Sequence, residues 1–232
     1  MDNMVVLKNI SKSYKKNVIL NHINVNIKKG SIYGLIGENG AGKTTLIKVL
    51  TGILSPDGGT INFVEEKRNH LPRISAVVDE PAFFNSLTVE QNLIEHCKLL
   101  GILEKEKIAA IVLTLGLEKH KDKLAKNLSL GLKQRLAIAL ALIGEPDLVV
   151  LDEPLNGLDP EGIMDLRNLI FKLHKEKITV LVSSHILSEL EQIATDFGIL
   201  KDGRMIKEFS KAEIIDSGIK LEDYYLKIKG GK

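Results

Sequence analysis

Tryptophan is absent from the 232 residues, aromatic residues make up only 4 %, and a single cysteine, Cys97, leaves no internal disulfide to form. Cohesion must therefore come from aliphatic packing, and a lone thiol suits a reducing compartment. Long apolar runs are missing as well. The longest stretch without Lys, Arg, Asp or Glu is Ile178 to Ser188, well short of the roughly 20 apolar residues that span a bilayer. Neither sign of charge is in excess: 32 Lys and Arg face 30 Asp and Glu, for a net charge of +2. Without a basic block, nucleic acid is not expected as a main partner. Met1-Asp2-Asn3-Met4 carries an early acid and no basic stretch leading into an apolar core, so no conventional secretory signal is expected and a cytosolic location is. What is present is ordinary for a globular chain, 44 % hydrophobic and 27 % charged. A chain of this size buries roughly 70 % of its unfolded surface, which predicts one domain, 1–232, with a lobe.

Short β-branched runs open the chain: Val5-Val6-Leu7, then Val18-Ile19-Leu20, then Ile23, Val25 and Ile27 in alternation. These read as separate strands of an N-terminal β subdomain. Ser31 to Ile36 is a further strand, and it ends in a glycine-rich turn that leads into the helical pattern Thr44 to Leu50. From about Pro81 to Glu145 the period becomes helical, with Leu93, Cys97 and Leu100, then Ile108, Ile111, Val112 and Leu115, then Leu136, Ala139, Leu140 and Ile143. Gly101, Gly116 and Gly144 stand at the expected helix ends. Leu148-Val149-Val150-Leu151 and Thr179-Val180-Leu181-Val182 read as buried parallel strands joined by a helix over Ile163 to His174. The expected fold is α/β, with a doubly wound core over 1–80 and 146–232 and an inserted α-helical subdomain over 81–145.

Gly37-Glu38-Asn39-Gly40-Ala41-Gly42-Lys43-Thr44 has the spacing of a phosphate-binding loop between a strand and a helix. Glycines let successive N–H groups turn toward phosphate oxygens, the helix offers its positive end, and Lys43 adds a full charge. A plain glycine turn would need neither the lysine nor the threonine. Asp152 and Glu153, delivered by the strand Leu148 to Leu151, supply the carboxylates that hydrolysis needs. Asp152 with Thr44 would support Mg2+, and Glu153 would orient and deprotonate the attacking water. The competing use of Asp-Glu-Pro, as a cap on the next element, loses weight beside the loop.

Leu128-Ser129-Leu130-Gly131-Leu132-Lys133-Gln134-Arg135 resembles the signature of ABC-transporter ATP-binding subunits, which usually reads Leu-Ser-Gly-Gly-Gln. The family's other marks stand in its order over about residues 4 to 210, and they imply a P-loop NTPase (RecA-like) core with an N-terminal antiparallel β subdomain and an inserted α-helical subdomain. The resemblance makes Tyr14 the adenine-stacking aromatic, Gly37 to Thr45 the phosphate loop (Gly37, Asn39, Gly40, Ala41, Gly42, Lys43, Thr44 and Thr45), Gly157-Leu158-Asp159 the D-loop and His185 the switch histidine. Asp79 takes the Q-loop position, where the family usually has Gln, and would touch Mg2+ or the water. Leu130 and Leu132 also depart from the pattern, while Ser129 and Gly131 keep the hydroxyl and the N–H that bind a γ-phosphate. Both departures are similar to the bacitracin-resistance and lantibiotic-immunity ATPases, which work with separate ABC-2 type permeases.

The resemblance implies a dimer, most simply of two identical chains, in which each ATP lies between the phosphate loop of one copy and Ser129, Gly131 and Asp159 of the other. ATP closes the pair and hydrolysis opens it, driving an exporter. Such a subunit would sit on the inner face of the cell membrane, in contact with it only through the permease. A soluble ABC ATPase acting as a clamp is the alternative, but relatives of that kind carry two cassettes or long coiled coils, and one Gly-Lys-Thr motif stands here. A P-loop kinase would have no use for Ser129 or His185. Phe83-Phe84 fits either the core or a permease contact, and the helix expected over Leu221 to Lys229 carries Tyr224-Tyr225 as packing.

Overall fold

Alternation at the front of the chain produces two long strands, β1 (Asn3–Tyr14) and β2 (Asn17–Lys28), paired antiparallel across a tight turn. The computed structural model describes residues 2–64, 71–79, 82–102 and 105–230; Glu80 and Pro81, at the expected start of the helical subdomain, lie outside the described residues. The two runs expected as separate strands, Val18 to Leu20 and Ile23 to Ile27, are one strand. Leu20 and Ile23 break a period of two, and the structure shows why: His22 at φ 51° adds a residue to β2 where the pairing shifts, as Asn9 at φ 53° does in β1. Each bulge resets the face, so Leu7, Ile10, Leu20 and Ile23 all enter one core. A third strand, β4 (Gly58–Phe63), covers the other edge of β1. Gly59 lies against the Asn9 bulge at φ 93°, where a Cβ would stand 2.5 Å from the carbonyl oxygens of Lys8 and Asn9, so no side chain fits.

The second sheet comprises β3 (Ile32–Ile36), β5 (Ile74–Val77), β6 (Leu148–Leu151), β7 (Thr179–Ser184), β8 (Asp196–Lys201) and β9 (Arg204–Ser210). Their order is β5-β6-β7-β3-β8-β9, parallel throughout except for the β8–β9 hairpin. Alternation on the parallel strands divides the apolar residues between two cores. Tyr33, Leu35, Leu148, Val150 and Leu181 face the three-stranded sheet and helix α1 (Lys43–Leu50). Ile32, Ile36, Val149, Leu151, Val180 and Val182 face the opposite side, toward the helices that follow. A Leu or Ile taken fully out of water is worth about 1.5–3 kcal/mol, so these two faces hold the sheet in place.

Between β5 and β6 come α2 (Val89–Leu99), α3 (Lys105–Thr114) and α4 (Leu130–Ile143). Thr88 and Gln91 close a capping box at the start of α2, and Ser129 caps α4. Gly101 at φ 71° and Gly116 at φ 63° follow α2 and α3, as their positions in the sequence lead one to expect. Asn92, only 2 % exposed, fastens the preceding loop: it accepts from the Phe84 N–H and donates to the carbonyls of Phe84, Leu87 and Thr88. Phe83 consequently packs against the core while Phe84 stays exposed. The remaining helices are α5 (Pro160–Lys175), α6 (Leu187–Ile193), α7 (Lys211–Ser217) and α8 (Leu221–Lys229). On α8, Tyr225 is buried and Tyr224 meets the Phe209 ring at 4.9 Å, the packing role expected of the pair. Among the described residues no helix is long and apolar enough to cross a membrane.

One carboxylate joins the two sheets. Glu208 of β9 accepts the Tyr33 hydroxyl of β3 at 2.8 Å and both the backbone N–H and the side-chain amide of Asn26 of β2, at 2.9 and 3.0 Å. Burial first, and then the charge of Glu208, raise the ionisation of Tyr33 well above the ordinary phenol value. Because the folded value is the higher one, the neutral hydroxyl contributes fully below about pH 10 and is lost as pH climbs from there toward Tyr33's raised value. Tyr33→Phe is expected to flatten the alkaline arm of the stability curve; denaturant melts between about pH 9 and 11 that run parallel in the two proteins would show that Tyr33 is not the group responsible.

Candidate functional site

The carboxyl ends of neighbouring parallel strands place the chemistry. Register pairs Leu151 of β6 with Val182 of β7 and Ile36 of β3 with Ser184 of β7, so the next residues along, Gly37, Asp152, Ser183 and His185, emerge side by side. Asp79 follows β5, whose Val77 pairs with Leu151, and joins the same edge. Crevices at such strand ends are where open α/β sheets bind ligands.

Gly37 to Gly42 forms the turn between β3 and α1. Gly42 takes φ 106°, and a Cβ there would stand 3.1 Å from the Ile19 carbonyl; one on Gly37 would stand 2.7 Å from that of Leu200. The loop is also tied behind, Gly203 N–H donating to the Ala41 carbonyl at 3.1 Å. Helices α2, α4, α5 and α7 receive a capping side chain, but the cap of α1 is Gly42, with none to offer and no acid in its first turn. Its opening N–H groups are thus suited to an anion. Lys43, nearly buried, donates to the carbonyls of Gly37 at 2.6 Å and Glu38 at 3.2 Å and pairs with Glu153 Oε1 at 2.9 Å.

Behind Lys43 runs a chain of hydrogen bonds. Thr44 Oγ1 donates to Asp152 Oδ2 at 2.6 Å, Ser183 Oγ donates to Asp152 Oδ1 at 2.5 Å, and Ser183 Oγ accepts from the Glu153 N–H at 2.8 Å. Glu153 itself takes φ 47°, a left-handed backbone that costs a non-glycine residue and recurs at functional sites. Its second oxygen lies 3.0 Å from His185 Nδ1. Lys43, Thr44, Asp152, Glu153 and His185, each read from the sequence, are therefore one connected cluster. A threonine hydroxyl beside a carboxylate is a hard-oxygen set that suits Mg2+ better than a softer metal.

Some expected members stand apart. Asp79, at φ 57°, is held by Lys48 Nζ at 2.6 Å, and this hydrogen bond raises the Lys48 ammonium above the usual lysine range. Tyr14, at the end of β1, is half exposed, with Lys12 Nζ 6.0 Å from its ring centre. Asn39 and Gly40 are exposed on the loop, and Thr45 follows in the first turn of α1. Ser129, Gly131 and Asp159 do not meet the phosphate loop at all. They line a separate cleft of about 310 Å³ between the starts of α4 and α5. There Ser129 Oγ accepts from the Leu132 N–H, which leaves its own proton free to donate, and Asp159 caps α5 through the Gly162 N–H. Leu130 covers the D-loop, since a Cβ on Gly157 would fall 2.9 Å from its Cδ2.

Sequence reasoning missed three contributors. Ser183 was given no role, Lys48 was only part of the helical pattern Thr44 to Leu50, and Lys229 was only the end of the helix expected over Leu221 to Lys229, although it pairs with Glu38 of the loop and holds that carboxyl below its ordinary range.

A strand, a glycine loop with Lys43 and Thr44, and carboxylates on a neighbouring strand define a P-loop nucleotide-hydrolysing domain. The family model described as ABC transporter matches residues 20–156, and the chain belongs to that family. It is 43 % identical over 214 residues to the bacitracin transport ATP-binding protein BcrA of Bacillus licheniformis, covering 90 % of this chain and 70 % of the relative. With the lantibiotic transport ATP-binding protein SrtF of Streptococcus pyogenes it shares 42 % over 217 residues, 92 % of this chain and 94 % of the other. A solved ATP-binding subunit of an ABC transporter superposes with a TM-score of 0.83 at 26 % identity, covering 97 % and 99 % of the two chains. A dimeric post-hydrolysis ATP-binding cassette bound to ADP and Pi superposes at 0.78 with 26 % identity, over 90 % and 99 %. The expected fold class and family are both borne out.

Ser183→Ala removes a fully buried hydroxyl that serves both Asp152 and the Glu153 N–H. The variant is expected to lose about 1–3 kcal/mol of stability and to hydrolyse nucleotide more slowly while still binding it. Calorimetry and a turnover assay check this; an unshifted melting temperature with undiminished turnover contradicts it.

Proposed function

We propose that this chain is the ATP-binding and hydrolysing subunit of an ABC exporter, working as a dimer with separate ABC-2 type permease subunits. The observation that carries the reading is the division of the site. One chain holds the loop, Asp152, Glu153 and His185 at its strand ends, and Ser129, Gly131 and Asp159 in another cleft, so a complete pocket needs a second copy. The dimeric relative bound to ADP and Pi supports that arrangement. The printed names of the relatives, bacitracin and lantibiotic transport, support export of a peptide antibiotic. On this reading the chain lies at the inner face of the membrane, touching it through the permease alone, and residues 1–80 with 146–232 form the core from which 81–145 reaches toward the partner.

Thr44 and Asp152 would hold Mg2+, and Asp79, after the neighbouring strand, is a further candidate. Bound there, the ion would neutralise charge on the β and γ phosphates. The remaining work falls to the chain's own groups. A phosphate at the loop competes with Glu153 for Lys43, and the transfer of Lys43 to the phosphate releases the Glu153 carboxylate. Glu153 then orients the attacking water and accepts its proton, while His185, already 3.0 Å from that carboxylate, is placed to register the γ-phosphate. Tyr14 offers the adenine a half-exposed ring at the edge of the same site.

Lys43→Ala is expected to abolish ATP binding at micromolar nucleotide; normal retention in equilibrium dialysis removes the loop from the site. Glu153→Gln is expected to bind ATP at least as tightly as the parent, because the competitor for Lys43 loses its charge, to stop turning over and to persist as a dimer with ATP. Brisk hydrolysis by that variant transfers the base role elsewhere.

A further inference from the structure

We infer that Lys48 is the counter-charge that makes an aspartate workable at position 79, so that the Lys48–Asp79 pair sets the charge of the nucleotide site and acts as a single neutral unit. The inference rests on the proposed reading of the loop as a nucleotide site. Lys48 lies one helical turn beyond Thr44 on α1, so the two side chains share a face. Its ammonium contacts Asp79 at 2.6 Å and stands within electrostatic reach of Asp152. Asp79 follows β5, while Asp152 and Glu153 follow the neighbouring strand β6; Lys43 answers Glu153 and Lys48 answers Asp79.

Stability does not account for the pair. With side chains 31 % and 59 % exposed, a contact of this kind adds little to folding. Its charge is another matter, because a nucleotide triphosphate is a polyanion and an unanswered Asp79 would repel it. An amide at this position would be neutral alone; an acid is neutral only with its lysine. Lys48 is accordingly a positioning residue, acting through Asp79.

Affinity for the non-hydrolysable analogue β,γ-imido-ATP, measured on the full chain by calorimetry in EDTA and again in excess Mg2+, tests this. In EDTA, Asp79→Gln should bind about threefold tighter and Lys48→Gln about threefold weaker, the size expected for one charge several ångströms away in a largely aqueous site. The double variant should return to within about twofold of the parent, and Lys48→Arg should match the parent. The two single shifts should shrink in about 0.5 M salt. In the Mg2+ series, half-saturation should need more metal in Asp79→Gln and less in Lys48→Gln. Single changes that both weaken binding, or a double variant that adds their losses, overturn the inference. If instead Lys43→Ala binds the analogue normally, it is the nucleotide reading that fails, whatever the Lys48 series shows.

Discussion

The hydrogen bonds that converge on Asp152 set the geometry on which everything else depends. Thr44 reaches it from the helix after the phosphate loop, and Ser183 reaches it from β7 while also holding the Glu153 N–H. Asp152, Glu153 and the helix after the phosphate loop are therefore fixed relative to one another by one carboxylate and one hydroxyl. Their positions follow from register: with Leu151 opposite Val182, the residues after each strand must meet. A slip of one residue would turn Ser183 to the other face of the sheet and leave Asp152 without a partner on that side. The two apolar cores, by fixing which face each strand residue takes, are what make that slip costly.

How much of this could be read beforehand depended on whether the signal was local. The phosphate loop was legible because its chemistry demands contiguous residues, and α4 runs over the residues expected of it because Ser129 and Gly144 mark its ends. β2 was misread as two strands because a bulge looks, in sequence, like an interruption. The strands β4, β8 and β9 went unread, yet the β8–β9 turn carries an Asp202-Gly203 pair at φ 48° and 70°, a hairpin signal that was there to be found. Ser183 and Lys48 carried no such signal. Their partners lie 31 residues away in each case, and only strand order brings them together.

The signature region shows the same dependence on distant partners. Leu130, which departs from the usual glycine, rests on Gly157 of the D-loop, and Leu132 packs against the core. The change therefore fills space between α4 and the start of α5 and leaves the Ser129 hydroxyl proton free. Arg135 adds a second tie, pairing with Asp165 of α5 and donating to the Leu115 carbonyl. The cleft that would face a second copy is thus braced from α4, α5 and the residue that follows α3, as a rigid surface should be if it is to grip one phosphate.

Lys43 gives the site its order of events. Its ammonium is nearly buried and fully engaged, by two loop carbonyls and by Glu153. A buried cation cannot be left unpaired without a cost of several kcal/mol, so it leaves Glu153 only for a group of equal or greater negative charge. A triphosphate qualifies; water does not. The carboxylate proposed to deprotonate the attacking water is consequently held by the same lysine that would bind the phosphate, and its release would follow from binding. On the proposed reading, occupancy of the loop and freedom of the Glu153 carboxylate are coupled through this one ion pair.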